Sequence, residues 1–391
     1  MGLNHSDKTD KFVPIQTRSE RPASFEVADF APVTGREAEW RYTPVKDIAH
    51  LLDGKLAGAM PKIDLEGETA GISATFVERS DERLGSVHAP EDRAAAQAWN
   101  SFEKALMIEV SGEAEKQAIV RLSDFGAEAA GGHIFIDVKP HAQALLILIY
   151  EGEGNLTETV EIKVGDGARV TVVSLGDWAD EAIHLSAHHA EVGRDAFLKH
   201  IAVNLTGKIV RLNPSTQLAH AGGDVEMYGL YFADPGQHLE HQVWVHHIAP
   251  NTRSRVNYKG ALQGNGSHTV WVGDVLIGPE AVGTDSYEEN RNLVLGDGPR
   301  ADSVPNLEIE CGDIEGAGHA SATGRFDEAH LFYLMARGID ELTARRLVVH
   351  GFLNEIVQEI ENETVIADLQ KRLAVELERS DAAIQAGMAR A

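Results

Sequence analysis

The spacing of apolar residues divides this chain into a long central region and two flanks with a different pattern. Between residues 104 and 322, short segments rich in β-branched residues alternate with Gly, Asp and Asn turns; examples are Ile134–Val138, Val160–Val164 and Val170–Leu175. No helical period interrupts them. The pattern predicts a mainly β core of many short strands, built as a sandwich, a barrel or a solenoid.

Glycines recur at nearly fixed distances inside this core. Gly165, Gly193 and Gly222 are separated by 28 and 29 residues, and Gly236 and Gly264 are separated by 28. A fixed period indicates stacked coils, each of which buries its apolar face only against its neighbours. The repeating units share little sequence, so the period alone favours a β-solenoid and a β-sandwich about equally.

The N-terminal flank, residues 1–103, carries a mixed pattern. Residues 1–30 are mostly polar and predict a flexible tail. A helix is predicted over 90–99, where Pro90 occupies the first turn ahead of an Ala run. We therefore expect a tail followed by a helical or irregular region.

Helical spacing begins after Arg325 and predicts a C-terminal helical domain over 323–391. Asp327, Asp340 and Asn362 are placed to cap three successive helices, and the second of these helices has a broad apolar stripe. Such a domain would also cover the open end of a solenoid, whose last strands otherwise expose unpaired backbone groups.

Charge and cysteine content exclude several classes of function. Across 391 residues, 61 Asp and Glu stand against 35 Lys and Arg, a net charge of −26 that would repel nucleic acids and acidic membranes. The single cysteine, Cys311, excludes an intrachain disulfide and with it a disulfide-stapled secreted domain. The longest aliphatic run, Ala144–Tyr150, is too short to cross a bilayer, and no signal sequence is visible. These features predict a cytoplasmic protein.

Searches for catalytic motifs leave one alternative open. The chain has no phosphate-binding G-x-x-x-x-G-K-[ST] loop, so it is not expected to be a P-loop ATPase. Four of its 18 histidines cluster at His238, His241, His246 and His247, which would suit a metal-dependent enzyme on a β-helix or β-barrel. Adjacent side chains on a strand point to opposite faces, however, so packed histidines are the favoured interpretation of this cluster.

A family resemblance is carried by three runs of sequence: HLEHQVWVHHIAPNTRSRVNYKGAL at 238–262, RNLVLGDGPRADSVPNLEIE at 291–310 and GHASATGRFDEAHLFYLMARGI at 318–339. With these runs, the chain from about 100 to 360 resembles the SufB/SufD family of iron–sulfur cluster assembly scaffolds. EWRYTP at 39–44, the modest length and the single cysteine are similar to the SufD type.

This resemblance implies a β-helix core with helical ends, which favours the solenoid over the sandwich. It also implies that His319, which matches the family histidine at the SufB–SufD contact, is a candidate iron ligand in a shared assembly site. Cys311 is a weaker candidate for that site, because a lone cysteine in a strand is more often a small core residue. One thiol is too few to hold a cluster, so we expect a transient cluster shared with a partner and none held tightly by the isolated chain.

By the same resemblance, the expected partners are a SufB-type subunit, in a heterodimer, and a SufC-type ABC ATPase. A homodimer is a further option for the chain alone. The ATPase would dock on the C-terminal helices, where Phe332, Arg337, Gly338 and Phe352 are the candidate contacts. The predicted function is therefore a SufD-like, non-catalytic scaffold subunit of the SUF complex, with the metal-dependent enzyme as the alternative.

Overall fold

The computed structural model describes residues 18–67, 69–325 and 328–388, and its centre is a parallel β-solenoid made of two sheets. The strands are β1 (Ala57–Gly58), β2 (Lys62–Gly67), β3 (Ile72–Glu78), β4 (Lys104–Val110), β5 (Glu115–Ser123), β6 (Ala130–Val138), β7 (Gln143–Gly152), β8 (Asn155–Val164), β9 (Arg169–Trp178), β10 (Ile183–Val192), β11 (Phe197–Asn204), β12 (Ile209–Leu218), β13 (Asp224–Ala233), β14 (His238–His247), β15 (Arg253–Gln263), β16 (His268–Ile277), β17 (Asp285–Leu295), β18 (Arg300–Ile309) and β19 (Gly316–Arg325). The helices are α1 (Val45–Leu52), α2 (Arg93–Ser101), α3 (Glu328–Met335), α4 (Glu341–Gln358) and α5 (Glu363–Met388).

The chain alternates between the two sheets from β4 onward. Even-numbered strands form a ten-stranded sheet together with β1 and β3, and odd-numbered strands form a nine-stranded sheet with β2 at its far edge. Each strand pairs in parallel with the strand two places later; Arg169 aligns with Phe197, 28 positions on, and Arg253 aligns with Asp285, 32 positions on. The predicted solenoid is therefore confirmed, and each turn of it is close to the glycine period.

The two sheets enclose an interior that is mainly aliphatic, with Leu146, Ile162 and Val172 among its fully buried residues. Many strands read as continuous apolar runs rather than alternating ones. The reason is that parallel sheets are usually covered on both faces, so side chains that point outward are buried as well.

The terminal helices α4 and α5 cover the outer face of the nine-stranded sheet. Leu353 and Ile356 of α4 and Leu369 of α5 pack with Ile147 of β7 and Val173 of β9 in one buried cluster. The expectation that these helices close the end of the solenoid is therefore wrong. The outward row of aliphatic side chains on β7 to β15 supplies a larger apolar surface than the end does, and the helices bury it.

Two of the three expected helix caps are confirmed. The carboxylate of Asp340 accepts a hydrogen bond from the backbone N–H of Thr343, and Asn362 accepts one from Val365, each at 3.0 Å. Asp327, the third expected cap, lies outside the described residues. No helix in the part of the chain that the structure describes is long and apolar enough to cross a membrane.

The N-terminal segment covers the outer face of the ten-stranded sheet. Arg211 on β12 is buried there beneath the ring of Trp40, at 3.9 Å, and its Nη1 donates to Asp92 at 2.8 Å. Arg18 is also buried, although the sequence pattern assigned residues 1–30 to a flexible tail; residues 1–17 lie outside the described residues. Buried charges need partners, and this segment supplies them.

The helix predicted over 90–99 is α2, which begins at Arg93 rather than in the turn of Pro90. The carboxylate of Asp92 accepts a hydrogen bond from the backbone N–H of Ala95 at 2.9 Å, and it therefore fixes the start of the helix.

Candidate functional site

The candidate site lies at the C-terminal end of the solenoid, where β18 and β19 are the last strands of their sheets. No strand among the described residues pairs with their outer edges. All ten residues of β19 are half-buried or exposed, in contrast to the continuous burial of the strands in the middle turns. An edge of this kind presents a row of unpaired backbone groups to any chain that can add a strand.

His319 lies within β19, not in the bend that its Gly- and Ala-rich neighbours predicted. The ladder from β17 imposes the strand, with Glu288 aligned to His319. Tertiary pairing here overrides a weak local preference. Residues aligned in a parallel ladder share a face, so His319 points toward the interior, yet its side chain is 44% exposed because no further turn lies above it.

Glu288 lies directly below His319 and is the residue that sequence reasoning missed. Its side chain is 1% exposed, and the nearest basic atom is Nδ1 of His319, 3.8 Å from Oε1. Neither carboxyl oxygen has a hydrogen-bond partner among the described residues. Burial, and then the negative charge of Asp274, raise the pKa of Glu288 to about 8. The group is therefore mostly a neutral acid at pH 7.

The space for this carboxyl comes from Gly273 on the opposite sheet. A Cβ atom at position 273 would overlap the ring of Trp271 and Oε2 of Glu288. A glycine in the middle of a strand commonly marks such a close approach. The signal for Glu288 in the sequence was its place in a period-two row of polar residues along β17, namely Ser286, Glu288, Asn290 and Asn292, which are all buried.

Amides replace aliphatic side chains in the last turns of the interior. Asn292 accepts a hydrogen bond from the Tyr231 hydroxyl at 2.7 Å and donates to Oδ1 of Asn290 at 2.8 Å. It also donates to Thr323 of β19 at 3.3 Å. The interior thus becomes polar as it approaches the open end.

Cys311 follows the end of β18 and is buried, with 7% of its surface exposed. It belongs to the aliphatic core cluster. Within the described residues its polar contact is a long one, 3.9 Å from Sγ to the carbonyl oxygen of Asp313. In this structure Cys311 packs as a small core residue, and its thiol is not presented at the surface beside His319.

The four candidate contacts for a partner divide into two groups. Phe332 on α3 is 75% exposed, Arg337 stacks on the exposed ring of Tyr333 at 4.4 Å, and Gly338 follows α3 with a φ of +87° that suits glycine. Phe352 is half-buried on α4, with the Lys259 ammonium 5.1 Å from its ring centre. Phe332, Arg337 and Gly338 thus share one exposed surface, whereas Phe352 packs on the sheet.

The histidines of 238–247 are not brought together as one metal site. Nε2 of His238 is hydrogen-bonded to Glu240 at 2.8 Å on the outer face, and His241 faces the interior, 2.9 Å from Asn204. His247 is hydrogen-bonded to Thr252 and Ser254 at 2.8 Å each, and His246 stacks on Trp244. No metal-binding group is formed by these four among the described residues. Their arrangement fits packed histidines and removes the basis of the enzyme alternative.

Comparison with known proteins gives a consistent family assignment. A family model described as the SufBD core domain of SUF system FeS cluster assembly matches residues 121–352, more than half of the chain. A protein of Mycobacterium bovis named as an iron–sulfur cluster assembly SufBD family protein is 46% identical over 370 residues, which cover 92% of each chain. A Mycobacterium leprae protein with the same family name is 46% identical over 374 residues, 92% of this chain and 95% of its own. Another M. leprae protein of that family name is 28% identical over 230 residues, 59% of this chain and 26% of its own.

Proposed function

The chain belongs to the SufBD family of iron–sulfur cluster assembly proteins, and from this premise we propose that it is a SufD-like, non-catalytic scaffold subunit. Its partners in this proposal are a SufB-type subunit at the open end of the solenoid and a SufC-type ABC ATPase on the C-terminal helices. The cluster is the cargo of the complex, built between the subunits and then passed on. A cytoplasmic location is part of the proposal.

The observation that carries this proposal is the uncovered last turn. The ten-residue strand β19 leaves its outer edge unpaired, and His319 projects from it over the buried acid Glu288. A partner that adds strands to β18 and β19 would cover both residues. In that interface an imidazole nitrogen and a carboxyl group would both lie within reach of iron bound by the partner.

Cysteine content argues that the remaining ligands come from outside this chain. Iron–sulfur clusters are held mainly by thiolates, with histidine as an occasional replacement. The one thiol of this chain is buried in the core, so it would have to be uncovered before it met iron. We therefore assign the thiolates to the SufB-type partner, His319 to one ligand position and Cys311 to packing. The isolated chain is accordingly expected to hold no cluster tightly.

The ATPase is assigned to the surface of α3 defined by Phe332, Tyr333 and Met335, which are all exposed. Within the described chain, α3 packs chiefly on α4 and leaves this apolar face uncovered. Exposed apolar patches on otherwise polar surfaces often mark protein interfaces. Arg337 and Gly338 lie beside this surface, and Phe352 would support it from below through the packing of α4.

The test is cluster assembly by a reconstituted complex that contains His319→Ala. We expect the variant to fold and to bind its partners, because an exposed side chain contributes less than about 0.5 kcal/mol to stability, yet to lose most cluster formation. His220→Ala is the matched control, since the His220 side chain is also 44% exposed and lies away from the open end. Normal assembly with His319→Ala would show that the ligand role is wrong. Failure of SufB- and SufC-like chains to co-purify with the native protein would contradict the scaffold role itself.

A further inference from the structure

A second cluster of metal-ligating side chains lies on the outer face of the ten-stranded sheet, away from the open end. It consists of His88 and Glu91, in the segment before α2, and His189 on β10. One ligand atom from each residue lies within 4.8 Å of the others. In the described part of the chain no other group of three or more His, Cys, Asp or Glu residues meets this spacing.

The tautomer of His189 is fixed by its neighbours. The Ser215 hydroxyl donates to the carbonyl oxygen of His188 at 3.1 Å, so its oxygen is left to accept a hydrogen bond from Nδ1–H of His189 at 2.8 Å. Nε2 of His189 must then carry a lone pair, and this buried atom has no hydrogen-bond partner among the described residues. An unpaired buried acceptor of this kind costs stability unless something binds it.

His88 is oriented in the same way. Its Nδ1 is 2.6 Å from the carbonyl oxygen of Ala89, which can only accept, so Nδ1 carries the proton and Nε2 carries the lone pair. The two imidazole rings stack with their centres 5.2 Å apart. Histidines that bind metals almost always donate their other ring N–H to a carbonyl, a carboxylate or water in this manner.

Glu91 supplies the negative charge. Its Oε2 is bound by Arg18 at 2.9 Å, whereas Oε1 is 3.7 Å from Nε2 of His88. That separation is too long for a hydrogen bond but leaves room for an ion between the two atoms. Burial disfavours the carboxylate, but the charge of Arg18 outweighs burial and lowers the pKa of Glu91. The carboxylate is therefore ionised, with one oxygen held by Arg18 and one oxygen free.

From this geometry we propose that Nε2 of His88, Nε2 of His189 and Oε1 of Glu91 bind a divalent first-row transition metal ion, Zn²⁺ or Fe²⁺, with water completing the coordination. Two imidazoles and one carboxylate form a donor set that both ions accept. The ion would tie the segment before α2 to the outer face of β10. The expectation that the isolated chain holds no tight cofactor concerned the iron–sulfur cluster, and this site does not depend on the proposed scaffold function.

The experiment uses the untagged full-length chain, stripped with a chelator and titrated with Zn²⁺ in air and with Fe²⁺ under anaerobic conditions. We expect one equivalent of ion to bind, and the tighter of the two ions identifies the natural occupant. Co²⁺ is the spectroscopic probe, because its visible bands report nitrogen and oxygen ligands without any variant. Failure of both ions to bind at micromolar concentrations would overturn the proposal.

Three substitutions locate the ion. His189→Gln should weaken binding at least about 100-fold, and Ser215→Ala should weaken it about 10- to 100-fold because the tautomer of His189 is no longer fixed. His220→Gln, outside the cluster, should bind as the wild type does. The metal should also raise the melting temperature of the wild type but not that of His189→Gln. Wild-type affinity in a folded His189→Gln chain would refute the assignment.

Discussion

The buried acid Glu288 should make the stability of this protein depend on pH in a defined direction. Burial raises the pKa of Glu288 to about 8, from an ordinary value of 4.5. Between these two values the folded chain holds one more proton at this site than the unfolded chain does. The contribution of Glu288 to stability is therefore fully present below about pH 4.5, falls as the pH rises, and is lost above about pH 8.

The size of the effect follows from the same two values. Each pH unit between them corresponds to about 1.4 kcal/mol, so the folded state loses about 3 kcal/mol by pH 7 and about 5 kcal/mol above pH 8. A glutamine at position 288 has nearly the same shape and never ionises. The free energy of unfolding of Glu288→Gln, minus that of the wild type, should therefore grow from below about 1 kcal/mol at pH 5 to about 5 kcal/mol at pH 9.

The assay is guanidinium unfolding of both chains at each pH unit from 5 to 9, followed by tryptophan fluorescence and by circular dichroism. Coincident transitions in the two signals establish that one free energy describes each curve. Glu289→Gln is the matched control, because Glu289 is the next residue of β17, points outward and pairs with Arg291 at the surface. If Glu288→Gln and the wild type gave parallel stability profiles across this range, Glu288 would not be a buried neutral acid.

Three further substitutions test other parts of the structure. Gly273→Ala should destabilise the chain by about 1–3 kcal/mol in thermal unfolding, because the new methyl group overlaps the tryptophan and the acid beside it, whereas Gly324→Ala, with open space at its Cβ position, should change little; equal effects of the two would contradict the overlap. Arg211→Ala should cost about 3–5 kcal/mol, since it strands two buried carboxylates, and should speed proteolysis of the N-terminal segment; unchanged proteolysis would argue against that segment's anchoring role. Phe332→Ser should leave stability within about 0.5 kcal/mol but weaken binding of the ATPase, while Val282→Ser, on a solenoid corner, should bind it normally; unaltered binding by Phe332→Ser would exclude the α3 surface.

The solenoid was predictable in outline because its physical cause is local. Short β-branched segments and glycine turns at a spacing of 28 and 29 residues follow from strands of about ten residues joined by tight corners. Helix caps such as Asp340 are local too, and were predicted correctly. The packing of α4 and α5 was not predictable, because it depends on which outward-facing residues β7 to β15 collect into one surface.

The candidate site was only half predictable for a related reason. His319 stood out through the resemblance, but Glu288 lies 31 residues earlier and meets it only through the register of β17 and β19. Coil lengths between aligned residues vary from 26 to 32, so the period in the sequence does not fix that register. The cluster of His88, Glu91 and His189 is harder still, because it joins a loop to a strand about 100 residues away.

The open end also decides between two kinds of partner. A second copy of this chain would offer another β18 and β19, and pairing of the copies would satisfy the unpaired backbone groups that make an edge prone to association. Such a homodimer would bring two copies of His319 together, but its two thiols would both lie in aliphatic cores, and its two chains would each carry a charge of −26. Thiolates are the ligands that clusters require. Self-association therefore covers the edge without completing an assembly site, whereas a partner with an accessible cysteine at the same edge does both.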